Sequence, residues 1–253
     1  MSGDDQFLKH LNRPWASVKQ VPVLKRKETH VWRASLEASS AQLEQYWKTL
    51  SEDEKERSSR FKFEQGCDQY ISGRGMLRSF LGSYLSVKPA TIQFNYNAYG
   101  KPLLSKNEAL QFNLSHSAGV VLYAFTLGAS IGVDIELIKT NINVSKLAAR
   151  FFAKKESTFI QSLPEAKQHE AFFKCWTRKE SFIKAHGKGL SMPLDQFEVS
   201  IRDSDVVAIR SIEWNQAEVK EWSMRSFWVG DDKVGAVVVR SGIDEISLLE
   251  SLF

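Results

Sequence analysis

Two carboxylates stand two residues apart in the apolar run Ile131-Gly132-Val133-Asp134-Ile135-Glu136-Leu137-Ile138. On a strand, successive side chains alternate between faces, so Asp134 and Glu136 share one face while Ile131, Val133, Ile135 and Leu137 take the other. Like charges ~7 Å apart on a poorly solvated face raise each other's pKa unless a cation or hydrogen-bond donors neutralise them. A divalent metal ion is one such cation; a strand with one solvated face is the plainer alternative. A third acid, Glu180, falls on the helical arc that also carries Phe172, Phe173, Trp176 and Ile183. A glutamate in that company needs a partner, because an unpaired buried carboxylate is strongly destabilising. The partner is either a metal ion or Lys184, four residues on, where an i,i+4 pair can meet. Three carboxylates from two elements suit Mg2+, a hard cation that prefers oxygen and keeps positions open for water and phosphate. Lys184 would then stand beside a phosphate.

Ser115-His116-Ser117 sits between two apolar segments and reads as a strand-end turn. Its hydroxyl, imidazole and nearby backbone N–H groups could hold an anion; a hydrogen-bonded turn histidine is the alternative for His116. A nucleophilic Ser115 is disfavoured, since adjacent Ser and His side chains diverge and no Gly-x-Ser-x-Gly elbow surrounds them. The other basic candidates are Arg57, Arg74, Arg78 and Lys101, and no glycine-rich phosphate loop of the common spacings is present.

These residues need elements to position them. Ser51 followed by Glu54 is a helix-start signature and predicts a charged helix over 51–60. Apolar residues from Tyr70 to Leu85 at spacings of three and four predict a second helix over 69–87, carrying Arg74 and Arg78 one turn apart. Residues 95–102, ending in Gly100-Lys101-Pro102, read as a loop. Strands are expected at 110–114 and 119–127, exposing Ser115-His116-Ser117 in the turn between them, and again from Ala129 through Ile138. Further helices are expected around 144–149, before Leu163-Pro164, and over 165–186, the last stopped by Gly187. The remainder, 197–240, reads as strands with turns at 203–205 and 230–232. Arg60-Phe61-Lys62-Phe63 before one long helix echoes Arg150-Phe151-Phe152 before the other. Two related α+β halves, 1–128 and 129–253, would account for the echo.

Composition narrows the function classes. The chain has 253 residues, 43% hydrophobic and 25% charged, as ordinary globular proteins do. No apolar run approaches the ~20 residues needed to span a bilayer. Asp4 and Asp5 are incompatible with a secretory signal, so a cytoplasmic protein is expected. Cys67 and Cys175 form no metal or disulfide pattern. A net charge of +4 is too mild for a dedicated duplex binder and suits a small anionic ligand or an acidic partner, with no nucleic acid and no membrane involved.

Taken in order, Phe112-Asn113-Leu114-Ser115-His116-Ser117, Gly132-Val133-Asp134-Ile135-Glu136, Phe151-Phe152, Trp176 to Lys184 and Gly187-Lys188-Gly189-Leu190 resemble the signature of the Sfp-type 4'-phosphopantetheinyl transferases. Gly100-Lys101-Pro102 lies where that family has it. The resemblance spans roughly residues 51–194. It implies an α+β fold of two similar, pseudo-twofold halves, each a small antiparallel sheet with a long helix, binding coenzyme A between them. By position it assigns Asp134, Glu136 and Glu180 to Mg2+ and Lys184 to the coenzyme A pyrophosphate. Asn113, Ser115 and His116 match the turn on the nucleotide phosphates, Lys101 the adenine-side loop, and Arg57 a basic residue near the 3'-phosphate. The reaction implied is attack of a serine of an apo acyl or peptidyl carrier protein on the β-phosphate of coenzyme A, releasing adenosine 3',5'-bisphosphate. Glu180, directly or through a water, is then the candidate base, and Lys184 stabilises or protonates the leaving phosphate. A single chain supplying both halves makes a monomer sufficient. The competing readings are a metal-dependent nuclease using Asp134, Glu136 and Lys139, and a non-catalytic nucleotide or RNA binder. In the first, Lys139 points to the wrong strand face; the second has no use for three convergent carboxylates.

Overall fold

The structure is a computed structural model describing residues 14–202, 206–240, 242–251 and 253. The N-terminal half opens with β1 (Glu28–Ser35), followed by the helices α1 (Ser40–Trp47), α2 (Glu52–Ser58) and α3 (Glu64–Leu85). A small hairpin, β2 (Phe94–Tyr96) and β3 (Pro102–Leu104), then leads to β4 (Leu110–Ser117) and β5 (Val120–Leu127). The second half contains β6 (Ile131–Leu137), α4 (Val144–Phe151), α5 (Lys154–Ser162) and α6 (Glu165–His186). After these come the short pair β7 (Phe197–Val199) and β8 (Ile209–Ile212), then β9 (Ser223–Val229), β10 (Lys233–Val239) and β11 (Glu245–Glu250).

Two sheets carry the architecture, with strand orders β11-β1-β5-β4 and β6-β10-β9. Their pairings are antiparallel except that β11 lies parallel to β1, which brings a strand from the end of the second half into the sheet of the first. Strand alternation separates three apolar compartments. Trp32, Tyr123 and Phe125 pack under α3 with Phe80 and Leu81. Their strand neighbours Val31, Leu122 and Ala124 face Ile131, Val133, Ile135 and Val237 between the sheets. Met224, Val234 and Val238 pack under α6 with Phe182 and Cys175. The result is four layers, helix on sheet on sheet on helix, and each large apolar side chain buried contributes about 1.5–3 kcal/mol.

The two halves share one device for fixing their long helix, and both long helices have 22 residues. Glu54, third residue of α2, accepts a hydrogen bond from the Ser51 N–H and from Arg74 and Arg78 Nε of α3, both at 2.6 Å. Glu156, third residue of α5, accepts from the Ala153 N–H and meets Lys179 Nζ of α6 at 2.7 Å. In each case an acid at the first turn of a short helix caps that helix and grips a buried cation on the long one. Arg78 and Lys179, one and zero per cent exposed, therefore belong to the scaffold.

The expected helix over 165–186 has those bounds, ended by Gly187 in the left-handed region at φ 80°. The expected helix over 69–87 begins five residues earlier, at Glu64, on a polar first turn that carries no apolar period. The turn expected at Ser115-His116-Ser117 is displaced: β4 runs through Ser117, and the reversal falls on Ala118 and Gly119, whose φ values of 47° and 77° form the tight turn. Part of the expected loop 95–102 is the β2–β3 ladder, and residues 216–221 form a 3-10 helix rather than strand. The turn expected at 203–205 lies outside the described residues.

Candidate active site

The site forms where the edge strands of the two sheets meet. Because β4 continues through Ser117, its residues Asn113, Ser115 and Ser117 share one face and point across to β6. Asn113 Oδ1 accepts the Val133 N–H at 2.9 Å, Ser115 Oγ donates to Asp134 Oδ1 at 2.8 Å, and Ser117 Oγ accepts the Leu137 N–H and donates to Glu136 Oε2, both at 3.1 Å. Three side chains thus join the two sheets where no strand ladder does among the described residues.

Helix α6 covers the acidic face of β6. That face is opened by Gly132, above which a Cβ would stand 2.1 Å from the Ser181 carbonyl oxygen and 2.3 Å from the Ala185 nitrogen. Only the absence of a side chain lets the helix backbone rest on the strand. The close approach sets Lys184 Nζ 2.7 Å from Asp134 Oδ1 and 2.8 Å from Ser115 Oγ. Asp134 is buried, and Glu136, Glu180 and Lys184 are half-buried.

This geometry perturbs the acids. Burial raises the Glu180 carboxyl to about 7, with Asp134 adding to the rise, Lys184 opposing it and Glu136 adding further. Glu136 is also raised, first by burial and then by Asp134. The three carboxylates therefore feel one another across the β6–α6 contact. Asp134 Oδ2 and Glu180 Oε1 are buried without a hydrogen-bond partner, a state that natural proteins rarely leave uncompensated. Among the described residues, no three His, Cys, Asp or Glu side chains are drawn together tightly enough to form a ready metal cage, and the Lys184 ammonium lies against Asp134.

Both halves match family models: residues 32–127 match "4'-phosphopantetheinyl transferase, N-terminal" and residues 130–238 match the "4'-phosphopantetheinyl transferase superfamily". The chain is 34% identical over 232 residues to the 4'-phosphopantetheinyl transferase HetI of Nostoc sp., covering 90% of this chain and 94% of that one. The chain belongs to the 4'-phosphopantetheinyl transferase family. It is 33% identical over 171 residues to Sfp of Bacillus subtilis, covering 68% of this chain and 75% of Sfp. A mouse relative, L-aminoadipate-semialdehyde dehydrogenase-phosphopantetheinyl transferase, is 28% identical over 211 residues, covering 76% of this chain and 68% of that one.

The remaining expected residues of this phosphopantetheinyl transferase spread around two neighbouring cavities that meet at Gly100, Pro102 and Leu114. The larger, about 360 Å³, is lined by Arg57, Tyr70, Arg74 and Tyr96, with His116 at its exposed rim. Partial shielding from water, and then the Lys184 ammonium, hold the His116 imidazole below its usual pKa. The smaller, about 200 Å³, lies between the halves and is lined by Tyr99, Lys101, Asn113 and Lys184. The Lys101 ammonium donates to the carbonyls of Ile131 at 2.8 Å and Lys184 at 2.7 Å, and burial lowers its pKa to about 8. Asn97 Nδ2 adds a bond to the Gly187 carbonyl at 2.9 Å, so the loop between β2 and β3 is clamped to the end of α6. Of the two arginines considered alongside Arg57, Arg74 lines the larger cavity while Arg78 is consumed by Glu54 and the Pro89 and Ile92 carbonyls.

Ser117, Gly132 and Asn97 were not among the expected site residues. The alternation Asn113, Ser115, Ser117 was a signal for the first, but it has meaning only once the segment is strand rather than turn. Among the described residues, no helix is long and apolar enough to cross a membrane.

Proposed function

We propose that this phosphopantetheinyl transferase moves the 4'-phosphopantetheine arm of coenzyme A onto a serine of an apo acyl or peptidyl carrier protein, with Mg2+ held by Asp134, Glu136 and Glu180. The observation that carries the reading is the meeting of Lys184 Nζ with Asp134 and Ser115 across the seam between the halves. The donor set fits a hard divalent cation. It is all oxygen, it is acidic, and Asp134 Oδ2 and Glu180 Oε1 are buried without partners. When bound, Mg2+ would supply charge neutralisation for the pyrophosphate.

The chain's own residues account for the rest. Arg57 and the rim residue His116 face the larger cavity, where they would hold the nucleotide's phosphates, while the smaller cavity leads to Lys184. Glu180, directly or through a water, is the candidate to take the proton of the carrier serine. The serine oxygen bonds to the β-phosphorus as the bond from that phosphorus to the bridging oxygen breaks. Lys184 Nζ stabilises the charge that appears on the departing adenosine 3',5'-bisphosphate. Both walls of the cleft come from one polypeptide, so a single chain suffices, and the reading includes a cytoplasmic location.

The test is intact-mass measurement of several apo carrier proteins incubated with this protein, coenzyme A and Mg2+. A gain of one phosphopantetheine on the carrier serine, absent when Mg2+ is chelated, is expected. Transfer that proceeds unchanged in chelator would overturn the metal assignment, and absence of transfer to every carrier would overturn the reaction.

A further inference from the structure

We propose that Ser117 is a positioning residue: its hydroxyl, reaching from the first half of the molecule, fixes Glu136 for cation binding in the second. The inference rests on the reading that Glu136 serves a divalent cation, and extends it to a residue with no place in that reading.

A serine hydroxyl has one proton to donate and lone pairs to accept with. Ser117 uses both. It accepts the Leu137 N–H at 3.1 Å, which locks the rotor, and gives its proton to Glu136 Oε2 at 3.1 Å. The bond to a main-chain amide matters because that amide belongs to the residue next to Glu136 on the same strand. Hydroxyl, amide and carboxylate therefore form one closed unit, and Glu136 cannot swing without breaking it. Two residues earlier Ser115 likewise donates to an acid, Asp134 Oδ1 at 2.8 Å, but accepts from the Lys184 ammonium rather than from a main-chain amide. The β4 period of two thus matches the β6 period of two, one hydroxyl per acid. A glutamate side chain left free must lose rotamer entropy when it ligates, and residues that orient ligands in this way are typically worth 10–100-fold in metal affinity.

The experiment measures binding of Mn2+ by electron paramagnetic resonance, in the presence of coenzyme A and without carrier protein, so that no turnover is read. The proteins are the wild type, Ser117→Ala, the pair Ser117→Thr and Ser117→Val, and Glu136→Ala. Thr and Val have one shape, both suit a strand, and only Thr keeps the hydroxyl. Mn2+ affinity is expected to fall about tenfold in Ser117→Ala and Ser117→Val, to stay near wild type in Ser117→Thr, and to fall at least as far in Glu136→Ala. If Glu136→Ala binds weakly while the Ala and Val variants bind as wild type, the positioning role is wrong and the metal reading stands. If Thr is as weak as Val, Ser117 acts by packing and the proposal is again wrong. If Glu136→Ala itself binds as wild type, the assignment of Glu136 to the cation fails and takes the proposal with it.

Discussion

Gly132 of β6 lies so close beneath Ser181 of α6 that a Cβ added to it would stand 2.1 Å from the Ser181 carbonyl oxygen. That contact decides how far Lys184 sits from Asp134. Gly132→Ala is expected to lift α6 from the sheet and to destabilise the protein by about 1–3 kcal/mol, the usual range for overpacking a core. Transfer should fall by more than the folded fraction does, because the Lys184–Asp134 contact opens as well. Chemical denaturation alongside transfer rates checks this; a variant with wild-type rates would show that the spacing is not set here.

Asp134→Ala and Glu180→Gln should each abolish detectable transfer to an apo carrier while circular dichroism stays native; melting should stay near wild type in Glu180→Gln and fall in Asp134→Ala, which also loses the Oδ1 bonds to Ser115 and Lys184. Each removes a half-buried or buried acid whose free oxygen has no structural partner, Asp134 Oδ2 and Glu180 Oε1. Normal rates in both variants would remove them from the chemistry.

Lys184→Ala separates binding from turnover. If Lys184 Nζ serves the departing phosphate, kcat should fall by a larger factor than coenzyme A affinity. Calorimetry that shows an affinity loss equal to the loss in kcat/KM would assign it to ground-state binding alone.

How much of this was legible in the residues varies with how local each feature is. Helix α6 was readable to its ends because Pro164 and Gly187 bracket a sustained period, and the shared face of Asp134 and Glu136 followed from alternation alone. That this face lies under a helix rather than in water was not readable from β6, since it depends on Gly132 admitting a backbone from residues 181–185. The seam was hidden for a related reason. Placing the turn at Ser115-His116-Ser117 made those side chains look exposed, whereas moving the reversal to Ala118 and Gly119 buries Ser115. Arg74 and Arg78 looked like ligand-binding cations because nothing in the helix itself shows that Glu54, twenty and twenty-four residues earlier, pairs with them. Parallel pairing of β11 with β1 has no local signature at all.

The grip of Glu156 on Lys179 should matter for stability. Both are buried, and Lys179 Nζ also donates to the Leu194 carbonyl at 2.8 Å. Glu156→Ala strands that ammonium and is expected to cost about 3–5 kcal/mol, whereas Glu156→Leu combined with Lys179→Met should recover a large part of the loss. Denaturant titration of the three proteins checks the order; equal losses in single and double variants would contradict it.

The His30 side chain gives the fold a pH dependence remote from catalysis. Trp32 Nε1 donates to the Tyr84 hydroxyl at 2.8 Å, and that hydroxyl shares a hydrogen bond with His30 Nδ1, also at 2.8 Å. Burial, opposed by Glu28, lowers the imidazole pKa to about 4. The unfolded chain takes up this proton near pH 6.5, so stability should fall as pH drops from there towards 4, by up to about 3 kcal/mol. His30→Asn, which cannot titrate, should lose that part of the slope in denaturant titrations between pH 7 and 4; an unchanged slope would show that His30 titrates normally.

The parallel strand β11 lies beside β1 in register from Glu28 opposite Glu245 to Arg33 opposite Glu250. During synthesis β1 emerges early, yet its outer edge finds its neighbour only after both long helices have left the ribosome. Until then a row of free backbone groups on β1 is open to pairing with another nascent chain. A fragment stopping short of residue 245 would carry that bare edge permanently, and adding the peptide 245–250 in trans is the natural way to heal it.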